Sequence, residues 1–343
     1  MSVSPVLRPL SALYGAAVGA RLALYRGGFL RVRRAGRPVV SVGNISAGGA
    51  GKTPFVRWLA GELLARGERP AILTRGYLRE SRGLVVVSDG AGALAPVAAS
   101  GDEPATLARA LPRVPVIADG RRIRAAGRAL QIAPDVSLFL LDDGFSHVGL
   151  FRDADVVLLD AGAPDAGGAL LPAGRLREPL AALARADLIV VTSCEQADPA
   201  AAAALAARFA PGVPVYRAES EVVSLTAPAG APARPEELRR APFVAVAGIA
   251  NPAVFERTLA SMRLSPATFL AFPDHVRYGL PEIGRIVRAA EASGAGTVVT
   301  TEKDAVKLES ACPLPLVTVA VRMRVLEPAF VSDLLALLLR RPS

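Results

Sequence analysis

The sequence predicts an α/β protein with a doubly wound, mostly parallel sheet and a second, smaller α/β/α domain. Short, continuously apolar runs alternate with segments that carry apolar residues at helical spacing. Continuous apolar runs are typical of parallel strands that helices cover on both faces. Near residues 226–235 the chain becomes rich in proline and alanine, and a shorter alternating series follows. We therefore expect a large domain over 37–218, a linker over 219–241 and a smaller C-terminal domain over 242–343 that closes over the first.

Predicted strands and helices alternate through both domains. In the first domain, strands are expected at residues 38–42, 70–74, 84–88, 114–118, 136–141, 156–160 and 188–192. Helices there are expected at 55–65, 103–111, 121–132, 179–186 and 199–209. In the second domain, strands at 243–247, 268–271, 297–301 and 316–321 alternate with helices at 252–262, 281–292 and 328–339. Parallel strands joined by helical crossovers require this alternation.

Composition narrows the class of protein. The chain has 343 residues, of which 52% are hydrophobic and 21% are charged, so it is long and apolar enough for two ordered domains. Its formal charge of +9 favours an anionic partner, which could be a nucleotide, a nucleic acid or an acidic membrane surface. The two cysteines, Cys194 and Cys312, form neither a disulfide framework nor a metal cluster. We expect them in the core of a protein from a reducing cytosol.

The first 36 residues are basic and apolar. Seven arginines and no acidic residue precede position 40, and the uncharged run at 9–20 is too short to span a bilayer. One broad helical face could hold Leu10, Leu13, Tyr14, Ala17, Val18, Leu22 and Leu24. Such a face beside arginines is expected of an amphipathic helix in the interface of an anionic membrane. The alternative is an ordinary helix that packs on the domain. Both interpretations are compatible if one face of the helix packs on the domain and another contacts lipid.

A glycine-rich stretch at 42–54 joins the first strand to the helix that follows it. Its ending, Gly51-Lys52-Thr53, is the chemical part of a P-loop, in which backbone N–H groups hold phosphate, lysine reaches the β- and γ-phosphates and threonine binds Mg²⁺. The strict pattern has glycine where this chain has Ser46. Lysine occurs only at 52, 303 and 307 in a chain otherwise rich in arginine, which favours a specific need for it here. We predict a P-loop NTPase-type domain, with nucleotide contacts from Gly48, Gly49, Ala50, Gly51, Lys52, Thr53 and Pro54.

Acidic residues border two of the predicted elements of the first domain. Asp142 and Asp143 close an apolar strand, as expected of carboxylates that hold or orient Mg²⁺ beside a P-loop, although such a pair can also cap a turn. Asp102 precedes a predicted helix and could simply cap it.

One of the two histidines follows a predicted strand of the second domain. Asp274 precedes His275 and could orient its ring as part of a proton-handling pair, although a lone histidine is more often structural.

Eight motifs of the chain resemble those of the tetraacyldisaccharide 4'-kinase family, in the same order and over nearly the whole chain. They are GN at 43–44, GGAGKTP at 48–54, TRGY at 74–77, GDEP at 101–104, LDDGFSH at 141–147, LPAGRLREP at 171–179, FPDH at 272–275 and TTEKD at 300–304. The resemblance implies a P-loop kinase that moves the γ-phosphate of ATP to the 4'-hydroxyl of a tetraacylated glucosamine disaccharide 1-phosphate. The product would be lipid IV-A, made at the cytoplasmic face of the bacterial inner membrane. It also implies two α/β/α domains with the site in the cleft between them.

Residue roles follow from combining the resemblance with the residues themselves. Lys52 is expected to hold phosphates, and the metal is assigned to Thr53, Asp142, Asp143 and Glu178. Asp102 is implied to be the base for the hydroxyl, assisted by His275 and Asp274. Substrate contacts are expected from Arg75, Tyr77, Glu103, Arg121, Arg122, His147 and Arg177. The partners implied are the lipid and an anionic membrane surface, without nucleic acid or an obligate protein partner.

Two other classes of protein remain as alternatives. A P-loop GTPase or metallochaperone would use Thr301-Glu302-Lys303-Asp304 to select guanine, but that motif needs one residue between lysine and aspartate. A non-enzymatic basic protein would bind membrane or nucleic acid through its arginine-rich start. It would have no need for ordered carboxylates beside a P-loop.

Overall fold

The strands form one sheet that runs through both halves of the chain. The computed structural model describes residues 7–227 and 231–340. The strands are β1 (Val39–Gly43), β2 (Pro70–Thr74), β3 (Val85–Asp89), β4 (Pro115–Ala118), β5 (Leu138–Asp142), β6 (Ala154–Asp160), β7 (Leu188–Thr192), β8 (Val215–Thr226), β9 (Pro232–Ala233), β10 (Val244–Ala247), β11 (Thr268–Ala271), β12 (Val298–Thr301) and β13 (Leu316–Val325). Their order is β11-β10-β12-β13-β8-β7-β6-β1-β5-β2-β4-β3, with β9 on β8. Pairing is parallel except at β13–β8, β4–β3 and β8–β9.

Helices cover both faces of this sheet. They are α1 (Arg8–Arg26), α2 (Lys52–Ala65), α3 (Val97–Ser100), α4 (Asp102–Ala110), α5 (Arg122–Ile132), α6 (Ala200–Phe209), α7 (Pro235–Arg240), α8 (Pro252–Ser261), α9 (Leu280–Ser293), α10 (Glu302–Leu308) and α11 (Ala329–Arg340). A 3₁₀ helix at Leu180–Arg185 stands where the sequence predicts an α-helix. Successive side chains of β5 lie on opposite faces of the sheet. Leu140 packs in the core under α2, and Phe139 packs in the core under α5. The continuous apolar runs are therefore buried on both sides, as expected.

Most predicted elements lie within three residues of their expected bounds, and β2, β7 and β11 match them. Strand β8 was missed. Its residues alternate between exposed and buried positions, and its second half pairs with the long antiparallel β13. Because charged residues occupy its open face, this segment has the composition of a connection. The predicted linker over 219–241 therefore contains the end of β8, then β9 and α7. The cysteines, expected in the core, are only half-buried.

The C-terminal helix α11 packs on the first half of the chain, although its sequence position predicts it in the smaller domain. The ring of Phe330 meets those of Phe55 in α2 and Tyr216 in β8, with centroids 5.6 and 5.0 Å apart. Tyr216 donates a hydrogen bond of 2.6 Å to Asp333 of α11. Since the sheet is continuous and α11 crosses back, the predicted boundary at residue 242 stays a prediction.

Helix α1 rests on the loops that border the P-loop and leaves an apolar face open. Ser11 donates to the carbonyl of Leu170 (2.9 Å) and Tyr14 to that of Arg177 (3.0 Å). On the neighbouring side of the helix, Leu10 and Leu13 are 53% and 69% exposed. In the described part of the chain, no helix has the length and apolar character needed to cross a membrane.

Candidate active site

The P-loop runs from the end of β1 to the start of α2. Gly51 precedes the helix with φ of +73°, in the left-handed region that glycine adopts freely. The first helical residue is Lys52, whose Nζ lies 3.2 Å from Oδ1 of Asn44 and 3.6 Å from Oδ1 of Asp143. The lysine is thus held by the residue that opens the loop and by the carboxylate that follows β5. The P-loop predicted from the sequence is present with its strand–loop–helix geometry.

Ser46 stands where the strict P-loop pattern has glycine, and the structure explains why serine fits. Its φ is not positive, so the backbone at this position does not need glycine. The Ser46 hydroxyl accepts a hydrogen bond of 3.1 Å from Nδ2 of Asn44, and Oδ1 of the same asparagine accepts one from Lys52. The serine therefore helps to orient the side chain that positions the lysine.

Arg175 lies across the same loop. Its Nε donates to the carbonyl of Ala47 (3.1 Å), and the N–H of Ala47 donates to the carbonyl of Arg175 (2.6 Å). A Cβ atom at Gly48 would overlap with Nη2 of Arg175, and the φ of Gly48 is +124°, so this position requires glycine. Sequence reasoning named Arg177 of this stretch and missed Arg175. The signal available was its place in the motif at 171–179.

The two carboxylates after β5 differ sharply. Asp142 is buried, accepts a long bond (3.4 Å) from Thr74, and its Oδ1 has no hydrogen-bond partner among the described residues. Burial, with the neighbouring charges of Glu103 and Asp143, raises the pKa of Asp142 to about 7. Asp143 adopts a left-handed φ of +55° and pairs with Nη1 of Arg177 at 2.8 Å. Burial works to raise the pKa of Asp143, but Lys52 and Arg177 outweigh it and lower the value.

A magnesium ion suits this pair of carboxylates. The unpaired, buried oxygen of Asp142 is a hard ligand that lacks a proton donor or cation, and Thr53 lies on the first turn of α2 beside the loop. Among the described residues, no group of three histidine, cysteine or carboxylate side chains could hold a metal ion alone. That arrangement fits Mg²⁺, which usually keeps one or two protein carboxylates and takes its other ligands from phosphate and water.

Basic side chains surround the carboxylates. Arg122 is buried, its Nη1 donates to the carbonyl of Asp119 (2.6 Å), and its Nε has no partner among the described residues. Burial lowers the pKa of Arg122 to about 10, although Asp142 opposes this change. Burial, together with the charge of Arg122, also lowers the pKa of His147 to about 4, so this ring is neutral at pH 7. Arg75 and Arg121, the two other predicted contacts, are exposed.

Asp102 and His275 form a direct pair, although they lie 173 residues apart in the sequence. Nδ1 of His275 is 3.2 and 3.1 Å from the two oxygens of Asp102, which begins α4. His275 adopts a φ of +59°, an uncommon conformation for this residue that aims its ring at α4. Burial works to raise the pKa of Asp102, but the hydrogen bond from His275 and the charge of Lys303 lower it to about 2. The ring of Tyr77 meets that of His275 edge-on at 5.3 Å.

Sequence reasoning missed the two lysines of α10, which complete this pair. Nζ of Lys307 lies 3.5 Å from Oδ2 of Asp102. Nζ of Lys303 lies 2.9 Å from Asp274 and 3.3 Å from Nε2 of His275. All three lysines of the chain therefore lie at the candidate site. Their rarity was the signal, since lysine is absent from the rest of an arginine-rich sequence.

Three other predicted site residues have contacts that refine their expected roles. Glu103 lies 3.8 Å from Lys303 and also raises the pKa of Asp142, so it links the two groups of residues. Asp274 was expected to orient the His275 ring, but the structure gives that place to Asp102. Instead, Asp274 accepts from the backbone N–H of His275 and from Lys303.

Glu178 was expected near the metal, but both of its oxygens are engaged elsewhere. One accepts from Ser146 (2.6 Å) and the other from Arg185 (2.5 Å). Its carboxylate is buried in these contacts.

The fold and these two groups of residues define a P-loop nucleotide-binding protein with a carboxylate–histidine pair at its site. The sequence model of the family described as Tetraacyldisaccharide-1-P 4'-kinase (LpxK) matches residues 3–339, so the chain belongs to that family. The chain is 46% identical to the tetraacyldisaccharide 4'-kinase of Anaeromyxobacter dehalogenans (strain 2CP-C), over 87% of this chain and 79% of that protein. It is 39% identical to the kinase of the same name from Pelobacter propionicus, over 99% and 94% of the two chains. It also resembles a crystal structure of LpxK from Aquifex aeolicus in complex with ATP, with a TM-score of 0.78 and 30% identity over 97% and 98% of the two chains.

Proposed function

We propose that this protein is an ATP-dependent tetraacyldisaccharide 4'-kinase. It transfers the γ-phosphate of ATP to the 4'-hydroxyl of tetraacyldisaccharide 1-phosphate and forms lipid IV-A for lipid A biosynthesis. The observation that carries this proposal is the placement of the Asp102–His275 pair beside a complete P-loop, with Glu103 linking the two. A P-loop alone binds nucleotide, whereas transfer to an alcohol also needs a group that accepts the hydroxyl proton. Family membership and the names of the relatives support the same reaction.

The GTPase alternative is not favoured, because the residues that resemble a guanine-binding motif serve other purposes. Asp304 is fully buried, and its Oδ2 accepts from the backbone N–H of Gly248 (2.8 Å) and from Thr301 (2.9 Å). Lys303 pairs with Asp274. Neither side chain is available to bind a base.

The P-loop side of the site binds the nucleotide. Lys52 and the amides of residues 48–53 would hold the β- and γ-phosphates, as in other P-loops. Thr53, Asp142 and Asp143 would hold Mg²⁺ or its water, and when bound the ion neutralises phosphate charge. Arg122, Arg175 and Arg177 would add positive charge around the transferred group, for which a planar guanidinium is well suited. Because Glu178 is engaged by Ser146 and Arg185, we do not include it among the metal ligands.

The acid–base pair would act on the acceptor alcohol. As its proton passes to the Asp102–His275 pair, the 4'-oxygen forms a bond to the γ-phosphorus, and the bond from that phosphorus to the β,γ-bridging oxygen breaks. ADP and the phosphorylated lipid are the products. Tyr77 lies against the His275 ring and, with Arg75, Arg121 and His147, would contact the disaccharide or its phosphate. Because His275 follows β11 and the P-loop follows β1, closure of the cleft between them would complete the site.

We further propose that α1 holds the protein on the cytoplasmic face of the inner membrane. Its inner side packs through Ser11 and Tyr14, whereas Leu10, Leu13 and Leu24 are exposed on one side of the helix among arginines. Serine at these three leucines should weaken cosedimentation with vesicles that contain anionic lipid and leave ATP affinity unchanged. Unchanged cosedimentation would mean that another surface carries the membrane contact.

Transfer of radiolabel from γ-labelled ATP to tetraacyldisaccharide 1-phosphate in detergent micelles with Mg²⁺ tests the proposed reaction. We expect a labelled bis-phosphorylated lipid, and we expect Lys52→Ala to abolish it because the phosphates lose their lysine. Arg69→Ala is the matched control, since Arg69 pairs with Asp135 on the surface away from the P-loop. Folded protein that binds ATP and labels no lipid would contradict the proposal. GTP hydrolysis without lipid transfer would instead support the GTPase alternative.

A further inference from the structure

The hydrogen positions on His275 follow from the groups around its ring. Nδ1 lies between the two oxygens of Asp102, at 3.2 and 3.1 Å. With a pKa of about 2, this carboxylate is ionised at neutral pH and can only accept hydrogen bonds. Nδ1 must therefore carry a hydrogen. The opposite nitrogen, Nε2, then decides whether the ring is neutral or charged.

Nε2 faces an ammonium group. Nζ of Lys303 lies 3.3 Å from Nε2, and an ammonium has hydrogens to donate and no lone pair to offer. Two N–H groups cannot make a hydrogen bond with each other, so the short contact requires a lone pair on Nε2. The ring at rest is consequently neutral, with its hydrogen on Nδ1.

The other charges near the ring work against this neutral state. The hydrogen bond to Asp102 and the charges of Asp102 and Asp274 favour a protonated imidazole and raise the pKa of His275 above its ordinary value, and Asp274 approaches Nε2 itself at 3.7 Å. The charge of Lys303 opposes both carboxylates and works to lower the pKa of His275, since its Nζ lies 2.9 Å from Asp274 and 3.9 Å from Asp102.

Two further groups complete the surroundings of the ring. Tyr77 adds only an aromatic edge. Lys307 lies 3.5 Å from Asp102 on the far side of the pair. Within the described residues, Lys303 is thus the cation that contacts Nε2.

We propose that Lys303 is a positioning residue of the acid–base pair: its ammonium keeps His275 neutral, with the hydrogen on Nδ1 and a lone pair on Nε2, ready for the substrate's hydroxyl proton. This proposal rests on the proposed kinase function. When the 4'-hydroxyl binds, it replaces Lys303 at Nε2 and donates to the same lone pair. The released ammonium stays paired with Asp274. A compact, freely rotating ammonium suits this exchange better than the planar fork of arginine, which agrees with the rarity of lysine in the chain.

Nuclear magnetic resonance of the protein labelled with ¹⁵N-histidine tests the proton state directly. The chain has only two histidines, so a His147→Gln variant assigns the signals. At a pH above its titration midpoint, we expect the wild-type ring to show its single hydrogen on Nδ1. In Lys303→Met the titration midpoint of His275 should rise, because the carboxylates are no longer opposed. Lys303→Arg keeps the charge and should restore the midpoint toward the wild-type value.

Arg109→Met is the matched control for loosening of the contact between α4 and α10. Arg109 of α4 forms an exposed ion pair of 2.9 Å with Glu309, which follows α10, away from the His275 ring. This variant should leave the His275 midpoint unchanged. A shift as large as that of Lys303→Met would show that loss of packing, rather than loss of the ammonium, changes the ring, and would overturn the proposal.

The pH profile of kinase activity supplies the second measurement. In Lys303→Met the acid limb of kcat/KM should move to higher pH, and kcat/KM at pH 7 should fall roughly 10–100-fold, with ATP affinity unchanged. An unmoved midpoint and acid limb, or a wild-type ring with its hydrogen on Nε2, would overturn the proposal. If wild-type protein transfers no phosphate to the lipid but Lys303→Met shifts the His275 midpoint, the proton-state inference stands and the proposed function fails. Should Lys303→Met not fold, Lys303→Gln replaces it in both measurements.

Discussion

The two groups of residues at the site are built in opposite ways. On the nucleotide side, Lys52 and Asp143 come from segments that follow adjacent parallel strands, β1 and β5. On the acid–base side, Asp102 meets His275 and Lys307 across 173 and 205 residues of sequence, through the packing of α4 against α10. The first group lies at the carboxyl ends of neighbouring parallel strands, which the sheet itself brings together. The second exists only when the two halves of the chain are docked.

This difference predicts that substitutions in the two groups affect ATP binding and phosphate transfer differently. Damage to the nucleotide side should remove binding and chemistry together, since phosphate and metal contacts are both lost. Damage to the acid–base side should remove chemistry and leave ATP binding intact. The hydrogen bonding also differs: Oδ1 of the buried Asp142 has no partner among the described residues, whereas both oxygens of the buried Asp102 contact His275 and one of them also contacts Lys307.

The largest effect is expected for Asp142→Asn. Loss of a charged oxygen ligand should lower kcat/KM roughly 10³-fold, which corresponds to a loss of several kcal/mol of transition-state stabilisation. In the absence of nucleotide and Mg²⁺, the same variant should unfold at a higher temperature at pH 8. Burial raises the pKa of Asp142 to about 7, so above that pH the folded protein contains a buried, charged carboxylate that lowers its free energy of unfolding. Asparagine carries no charge and removes this destabilisation.

Activity assays and thermal unfolding with and without Mg²⁺·ATP check both parts of this prediction. Asp135→Asn, an exposed aspartate that follows α5, is the control and should change neither quantity. Unaltered activity in Asp142→Asn would assign the metal to other oxygens. A lower melting temperature without ligand would mean that the charge of Asp142 stabilises the fold.

A smaller loss of activity is expected when the acid–base pair is broken. His275→Ala should reduce kcat roughly 10²–10³-fold, within the range for a lost proton acceptor, while the Kd of ATP stays within about twofold. Asp102→Asn should cost a similar amount, and the double variant little more, because the two side chains act as one unit. If the losses of the two single variants add in full in the double variant, Asp102 and His275 act separately. If His275→Ala greatly weakens ATP binding, the two groups of residues do not serve separate functions.

Sequence patterns predict the nucleotide side well because its parts follow strands directly. The run at 38–42 and the loop ending in Lys52 and Thr53 predict both the strand–loop–helix unit and its chemistry. Asp142 was identified for the same reason, since it closes an apolar strand. One of its oxygens has no hydrogen-bond partner among the described residues, and its pKa is raised by burial and by the charge of Glu103, which a different element supplies. Those properties are set by packing and have no local pattern.

The acid–base side was predicted only as separate residues. Asp102 and His275 each follow from a motif, but the alternation of strands and helices does not say that α4 packs against α10. Lys303 was recognised within a family motif and Lys307 as one of only three lysines, but neither was given a role. The same limit explains β8 and α11, which were placed in the linker and the smaller domain. Their partners, β13 and α2, lie more than 90 residues away along the chain.

The smallest effect concerns stability in acid and separates the docked contact from the rest of the fold. Because the pKa of Asp102 is about 2 when folded and near 3.8 otherwise, its charge contributes stability above pH 4 that is lost as the pH falls toward 2. The shift corresponds to about 2 kcal/mol. Asp102→Asn lacks this term, so the stability difference between wild type and variant should be largest near pH 5 and should shrink as the pH falls through 2.

Urea unfolding followed by the fluorescence of Trp58, the only tryptophan, gives this difference at each pH. Trp58 lies against Phe55 and Phe330 and reports on the core shared by α2 and α11. Asp135→Asn again serves as the control for an exposed aspartate. A difference that stays constant between pH 5 and pH 2 would show that Asp102 stabilises the contact by its shape and hydrogen bonds, without its charge. The lysines of α10 would then act on proton transfer alone and would not hold the two halves together.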